Sequence, residues 1–106
     1  MNTNYSKYLA RCRAPKKIDD VKRILTALIA GVKADMNSTT LAAKMNGALI
    51  LSLVGKAWTR NSVQMSILAA TRFQGGSLSY VLAKMLQSGE VTKDELELLR
   101  TRCRMG

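Results

Sequence analysis

Apolar side chains recur at three- and four-residue spacings along almost the whole chain, and no stretch alternates β-branched with polar residues. That is the helical period, and six segments follow from it. The first spans about Asn4–Arg13 with the stripe Tyr5, Tyr8, Leu9, Cys12; it stops at Pro15, whose ring disfavours helix in the residue before it. The second spans about Ile18–Asp35 and sets Ile18, Val21, Leu25, Leu28, Ile29, Val32 and Met36 on one core-facing arc. Its other side is small (Ala27, Ala30, Ala34), a face that another helix or a second copy can approach closely.

Asn37 and Ser38 are good caps for a third segment, about Thr39–Ala57. Its run Ala48-Leu49-Ile50-Leu51-Ser52-Leu53-Val54 is apolar on every side and predicts a central buried helix. A fourth segment, about Asn61–Phe73, ends at Gly75-Gly76, after which Ser77 can cap a fifth with the stripe Leu78, Val81, Leu82, Met85, Leu86. Thr92 and Glu95 have capping-box spacing for a last helix with the stripe Leu96, Leu99, Cys103. The expected fold is all-α: a compact bundle of five to six short helices with one central, fully apolar helix. At 106 residues the chain is expected to be a single domain, with residues 1–17 a basic N-terminal helix and turn and 18–106 the helical core. The echo of Leu41-Ala42-Ala43 in Leu68-Ala69-Ala70 is the chance match an Ala- and Leu-rich chain produces.

Charge changes this picture more than composition does. Seventeen Lys and Arg against seven Asp and Glu leave +10, with a sequence pI near 10.1. Residues 1–23 hold seven cations against Asp19 and Asp20, and no acid occurs from Met36 to Gly89, where Lys44, Lys56, Arg60, Arg72 and Lys84 stand. Apart from Asp35, the remaining acids crowd into 90–97 as Glu90, Asp94, Glu95 and Glu97. Segregation on this scale costs compactness through self-repulsion and points to a polyanionic partner. The longest apolar run, Gly47–Gly55, is far below the ~20 residues of a spanning helix, and the opening residues lack the apolar stretch of a secretory signal. A cytoplasmic location without membrane association is expected.

The chemistry of catalysis is short of parts. There is no histidine, so general-base and nucleophile–base pairs lack their usual member, and neither an enzyme nor a small-molecule substrate is expected. No phosphate-cradling loop of the Gly-rich kind is present, and no cofactor is expected. Two cysteines without histidine fall short of a zinc site, and acids such as Glu90, Asp94 and Glu97 beside a helix start ordinarily complement its dipole. Each cysteine stands between two arginines, as Arg11-Cys12-Arg13 and Arg102-Cys103-Arg104. A thiol on the apolar stripe forces its neighbours to the flanks, so both triplets read as an inward cysteine with outward arginines.

Two stretches have the outline of a helix–turn–helix element. In the first, LAAKMNGALILSLVG, the second half has nothing with which to read a base. In the second, the helix from Ser77 would keep Ser77, Tyr80, Lys84 and Gln87 opposite its core stripe, although Gly75-Gly76 lengthens the turn. Backbone binding asks only for cations and preferably an aromatic. Lys7, Arg11, Arg13, Lys16, Lys17, Lys22 and Arg23 supply them early in the chain, Lys56 and Arg60 flank Trp58, and Lys84 adds a further charge. Trp58 itself is expected as a core anchor, and Tyr5 and Tyr8 as packing residues with hydroxyls at the rim. The expected function is therefore nucleic-acid backbone binding with little sequence readout, as a regulator or as a small subunit of a nucleoprotein. Other protein subunits or self-association are the expected protein contacts. In size, helix content and basicity the chain is similar to the small helical subunits of CRISPR effector complexes, a likeness of composition carried by no motif. The alternative is an inhibitor or adaptor from a mobile element, docking on an acidic or nucleic-acid-binding surface of another protein.

Overall fold

The computed structural model describes residues 18–52, 55–72 and 76–105, the last three by their backbone alone. The helix expected over Asn4–Arg13, both cysteine side chains and the cations Lys7, Arg11, Arg13, Lys16 and Lys17 lie outside what is described. The described residues are all-helical: α1 (Ile18–Lys33), α2 (Ser38–Gly47), α3 (Arg60–Arg72), α4 (Ser77–Ser88) and α5 (Lys93–Met105), with no strand among them. α1 and α3 each pack against both α4 and α5, and α2 packs on α3 and touches α1. The shared core gathers Ile24, Leu25 and Leu28 of α1, Val63 of α3, Val81 of α4 and Leu99 of α5.

α1 follows its stripe closely. Val21, Leu25, Leu28, Ile29 and Val32 are buried, Asp19 and Asp20 sit in the first turn and Lys33 in the last, each on the side the helix dipole favours. The close approach to α1 occurs at Gly31, against which the Leu41 side chain lies, rather than at Ala30 or Ala34, which are exposed. α5 opens on the expected capping box: Glu95 N–H donates to Thr92 Oγ1 (3.2 Å) and Thr92 N–H to the Glu95 carboxylate (2.9 Å). Asn37 caps α2 through a bond from Thr40 N–H (2.8 Å). A reciprocal pair of the same kind, Thr59 with Ser62, opens α3 without the Glu or Gln that ordinarily signals it. Ser77 is not a cap. Gly76 holds that position without a side-chain bond, and Ser77 is the first residue of α4.

The central apolar helix does not form. α2 ends at Gly47, and Ala48 leads into Leu49 at φ 59°. Leu49 N–H then bonds the Asn46 carbonyl and Ile50 N–H the Met45 carbonyl (both 3.0 Å), the paired bonds of a Schellman stop with a leucine in the left-handed place. A residue remote in sequence holds the stop: Trp58 is buried, its indole N–H donates to the Ile50 carbonyl (2.7 Å), and its backbone exchanges two bonds with the Asn46 amide (2.7 and 2.9 Å). Apolar residues that the helix reading buries consequently face water, Leu49 at 85% and Leu51 at 57% exposure. The core is assembled instead from the buried faces of the five described helices with Trp58 and Val91.

Candidate nucleic-acid interface

The described ion pairs all lie on α1, α5 and the turns that adjoin them. Lys22 Nζ meets Glu90 at 3.1 Å, Lys33 meets Glu95 at 3.2 Å, Arg100 meets Glu97 at 3.1 Å, and Arg102 approaches Asp35 at 3.8 Å. Glu90 is held below its ordinary pKa by a bond from the Ser88 hydroxyl (2.8 Å) and by the Lys22 ammonium. Glu95 is lowered likewise, first by the Thr92 backbone N–H of the capping box and then by Lys33. These carboxylates are engaged in folding contacts, and among the described residues no group of three or more His, Cys, Asp or Glu is arranged to hold a metal ion.

The middle of the chain is different in kind. α2, α3, α4 and their connections carry Lys44, Lys56, Arg60, Arg72 and Lys84 with no acid among residues 36–89, and every one of these cations is exposed. Of the cations expected at an interface, Lys56 and Arg60 flank the start of α3. Lys84 lies on α4 with its ammonium 5.8 Å from the Tyr80 ring centroid, a cation–π contact on the surface. Arg23 is exposed on α1. Lys22 is on the same helix but already answered by Glu90.

Tyr80 corrects the expected recognition face. It is 8% exposed, because α4 is pressed between α1 and α3 and needs two apolar sides, leaving Lys84 and Gln87 outward. Trp58 is the anchor the sequence suggests, at 4% exposure, and neither of these two aromatics offers a face to a base. Arg102 also departs from expectation. Rather than splaying outward it reaches the turn between α1 and α2, donating to the Met36 carbonyl at 2.6 Å. The sequence carries no local signal for that contact, since the partners are 66 residues apart.

The exposed leucines of the α2–α3 connection are likewise invisible to periodicity, which buries them. Hydrogen bonds close that connection: Ser52 N–H donates to the Lys56 carbonyl (3.0 Å), Lys56 N–H to Ser52 Oγ (3.1 Å) and Gly55 N–H to the Ser52 carbonyl (2.9 Å). The Lys56 backbone is thereby paired with Ser52, the residue after Leu51, and Lys44 stands one helical turn before Ala48. Compared with protein-family models, curated proteins and solved structures, the chain matches none. Among the described residues no helix is long and apolar enough to cross a membrane.

Proposed function

We propose that the chain binds the phosphate backbone of nucleic acid with little sequence readout, as a regulator or as a repeated small subunit of a nucleoprotein assembly. The observation that carries this reading is the division of charge: the ion pairs lie on α1, α5 and the turns beside them, while residues 36–89, which form α2–α4, hold exposed cations and no acid. A surface kept only for solvation mixes signs, whereas one that meets a polyphosphate does not. Lys56 and Arg60 form the centre of the contact, Lys84 and Arg23 extend it, and Lys7, Arg11, Arg13, Lys16 and Lys17 supply further positive charge. Lys22 contributes less, since Glu90 already neutralises it. The mechanism is charge neutralisation with release of condensed counterions.

Salt titration against duplex and single-stranded probes tests it. Each phosphate neutralised contributes about 0.9 to the slope of log affinity on log salt for a duplex. Replacing Lys56 and Arg60 with Ser should lower that slope by roughly two, while Lys22→Ser should leave it nearly unchanged. Weak binding with no salt dependence would sink the proposal and favour a protein-docking adaptor.

A further inference from the structure

We propose that Leu49 and Leu51 form an apolar wedge that enters the base stack of duplex DNA from the minor groove and bends it. This rests on the nucleic-acid reading above and makes it specific to a bent duplex.

Folding gives little reason for a leucine at position 49. Its backbone is at φ 59°, where glycine is unstrained and a side chain is not, and at 85% exposure the side chain gains almost no burial. Leu51, at 57% exposure, is in the same situation without the strain. Between them Ile50 is anchored: its side chain packs on the core, its N–H bonds Met45 and its carbonyl accepts the Trp58 indole N–H. Two leucines thus stand outward on either side of an anchored residue.

Charge complementarity decides what they meet. The Lys56 backbone is bonded to Ser52, the residue after Leu51, the exposed Lys44 lies in the last turn of α2 before the tip, and no acid is present from 36 to 89. The surroundings suit a target that is apolar within and anionic without. Duplex DNA has that construction, with stacked bases between two phosphate rails, and aliphatic side chains between cations are the usual means of prising a base step apart from the minor groove. Single strands are held instead by aromatic platforms, and the aromatics among the described residues, Trp58 and Tyr80, are both buried. Two leucines offer less apolar area than the full face of an interfacial helix on a bilayer, but suffice where cations already hold the partner. Flexible pyrimidine–purine steps are the preferred targets because they unstack at least cost.

The test is energy transfer between dyes on the two ends of a duplex of about 25 base pairs with a central TA step. The full chain is compared with the double variant Leu49→Gly/Leu51→Ser, in which glycine suits the left-handed backbone and the fold should hold. The expected result is that the wild type shortens the end-to-end distance. The variant should keep the salt slope, lose the bend and bind roughly tenfold more weakly. A wild type that leaves the duplex straight, or a variant that bends it equally, overturns the wedge while leaving backbone binding intact. Absence of salt-dependent binding by both proteins overturns the backbone reading itself. Phosphatidylserine vesicles form the control arm: leucine-dependent sedimentation with them, alongside an unbent duplex, would assign the tip to lipid and overturn the wedge.

Discussion

Asp35 and Leu49 hold the same place in two helices, the left-handed residue after the last turn, at φ 57° and 59°. After α1 the paired bonds are Asp35 N–H to Val32 and Met36 N–H to Gly31 (both 3.0 Å), and Met36 folds back on the core as the motif requires. An aspartate there has two disadvantages: its Cβ crowds the backbone, and its charge lies at the negative end of the helix dipole. The compensation is slight, because the Arg102 contact is at 3.8 Å and the Asp35 side chain is fully exposed. Asp35→Gly should therefore stabilise the protein by about 0.5–1 kcal/mol, seen as a rise of several degrees in Tm. A fall would show that the Arg102 pair outweighs both terms.

Among the helices, glycine position decides the sign of an ordinary substitution. Alanine is favoured over glycine in a helix by about 1 kcal/mol. At Gly31 of α1, however, a methyl group would overlap the δ-carbons of Leu41, which is itself buried at the α1–α2 crossing. Overpacking costs about 1–3 kcal/mol, so Gly31→Ala should destabilise by roughly 1 kcal/mol. Gly47, at the end of α2, faces open space: a β-carbon there would meet nothing within 4 Å, and Gly47→Ala should be neutral or stabilising. The urea midpoint should fall for Gly31→Ala and hold or rise for Gly47→Ala. The same distinction between near and remote neighbours governs what the sequence can disclose. The stripes of α1, α4 and α5, the Asn37 cap and the Thr92–Glu95 box are set by residues within a turn or two of each other, and periodicity reveals them. The stop at Leu49 depends on Trp58 and Asn46 reaching across the connection, and apolar content alone argues for continuing the helix. Tyr80 and Arg102 point inward for the same kind of reason, since each answers a partner helix that spacing along one helix cannot reveal. The charge division, by contrast, is legible in the acid-free span itself, although which of the described cations meet a carboxylate emerges only once α1 lies against α5.

Across the whole molecule the two halves of the charge distribution have different work. Ion pairs tie α1 to α5 and to the α4–α5 turn, while the cations of α2–α4 repel one another with no acid of their own to relieve them. Lowering the pH should weaken the first half and leave the second unchanged. Glu90 and Glu95 have folded-state pKa values below their ordinary 4.5, so between the folded and unfolded values the unfolded chain binds more protons than the native one. Their contribution to stability is fully present above about pH 5 and is lost as pH falls through the depressed values. Protonation also raises the net charge above +10, which adds repulsion in the same direction. Urea unfolding followed from pH 7 down to about pH 3 should show a steady loss of stability on the acid side. Glu95→Gln, which keeps an acceptor for the Thr92 N–H but cannot titrate, should be less stable than wild type at neutral pH and have a flatter acid limb. Parallel acid limbs in the two proteins would mean that neither the capping box nor the Lys33 pair distinguishes the charged carboxylate from a neutral amide. The proposed nucleic-acid binding, measured over the same range above pH 5, should stay level, because it draws on cations rather than on carboxylates.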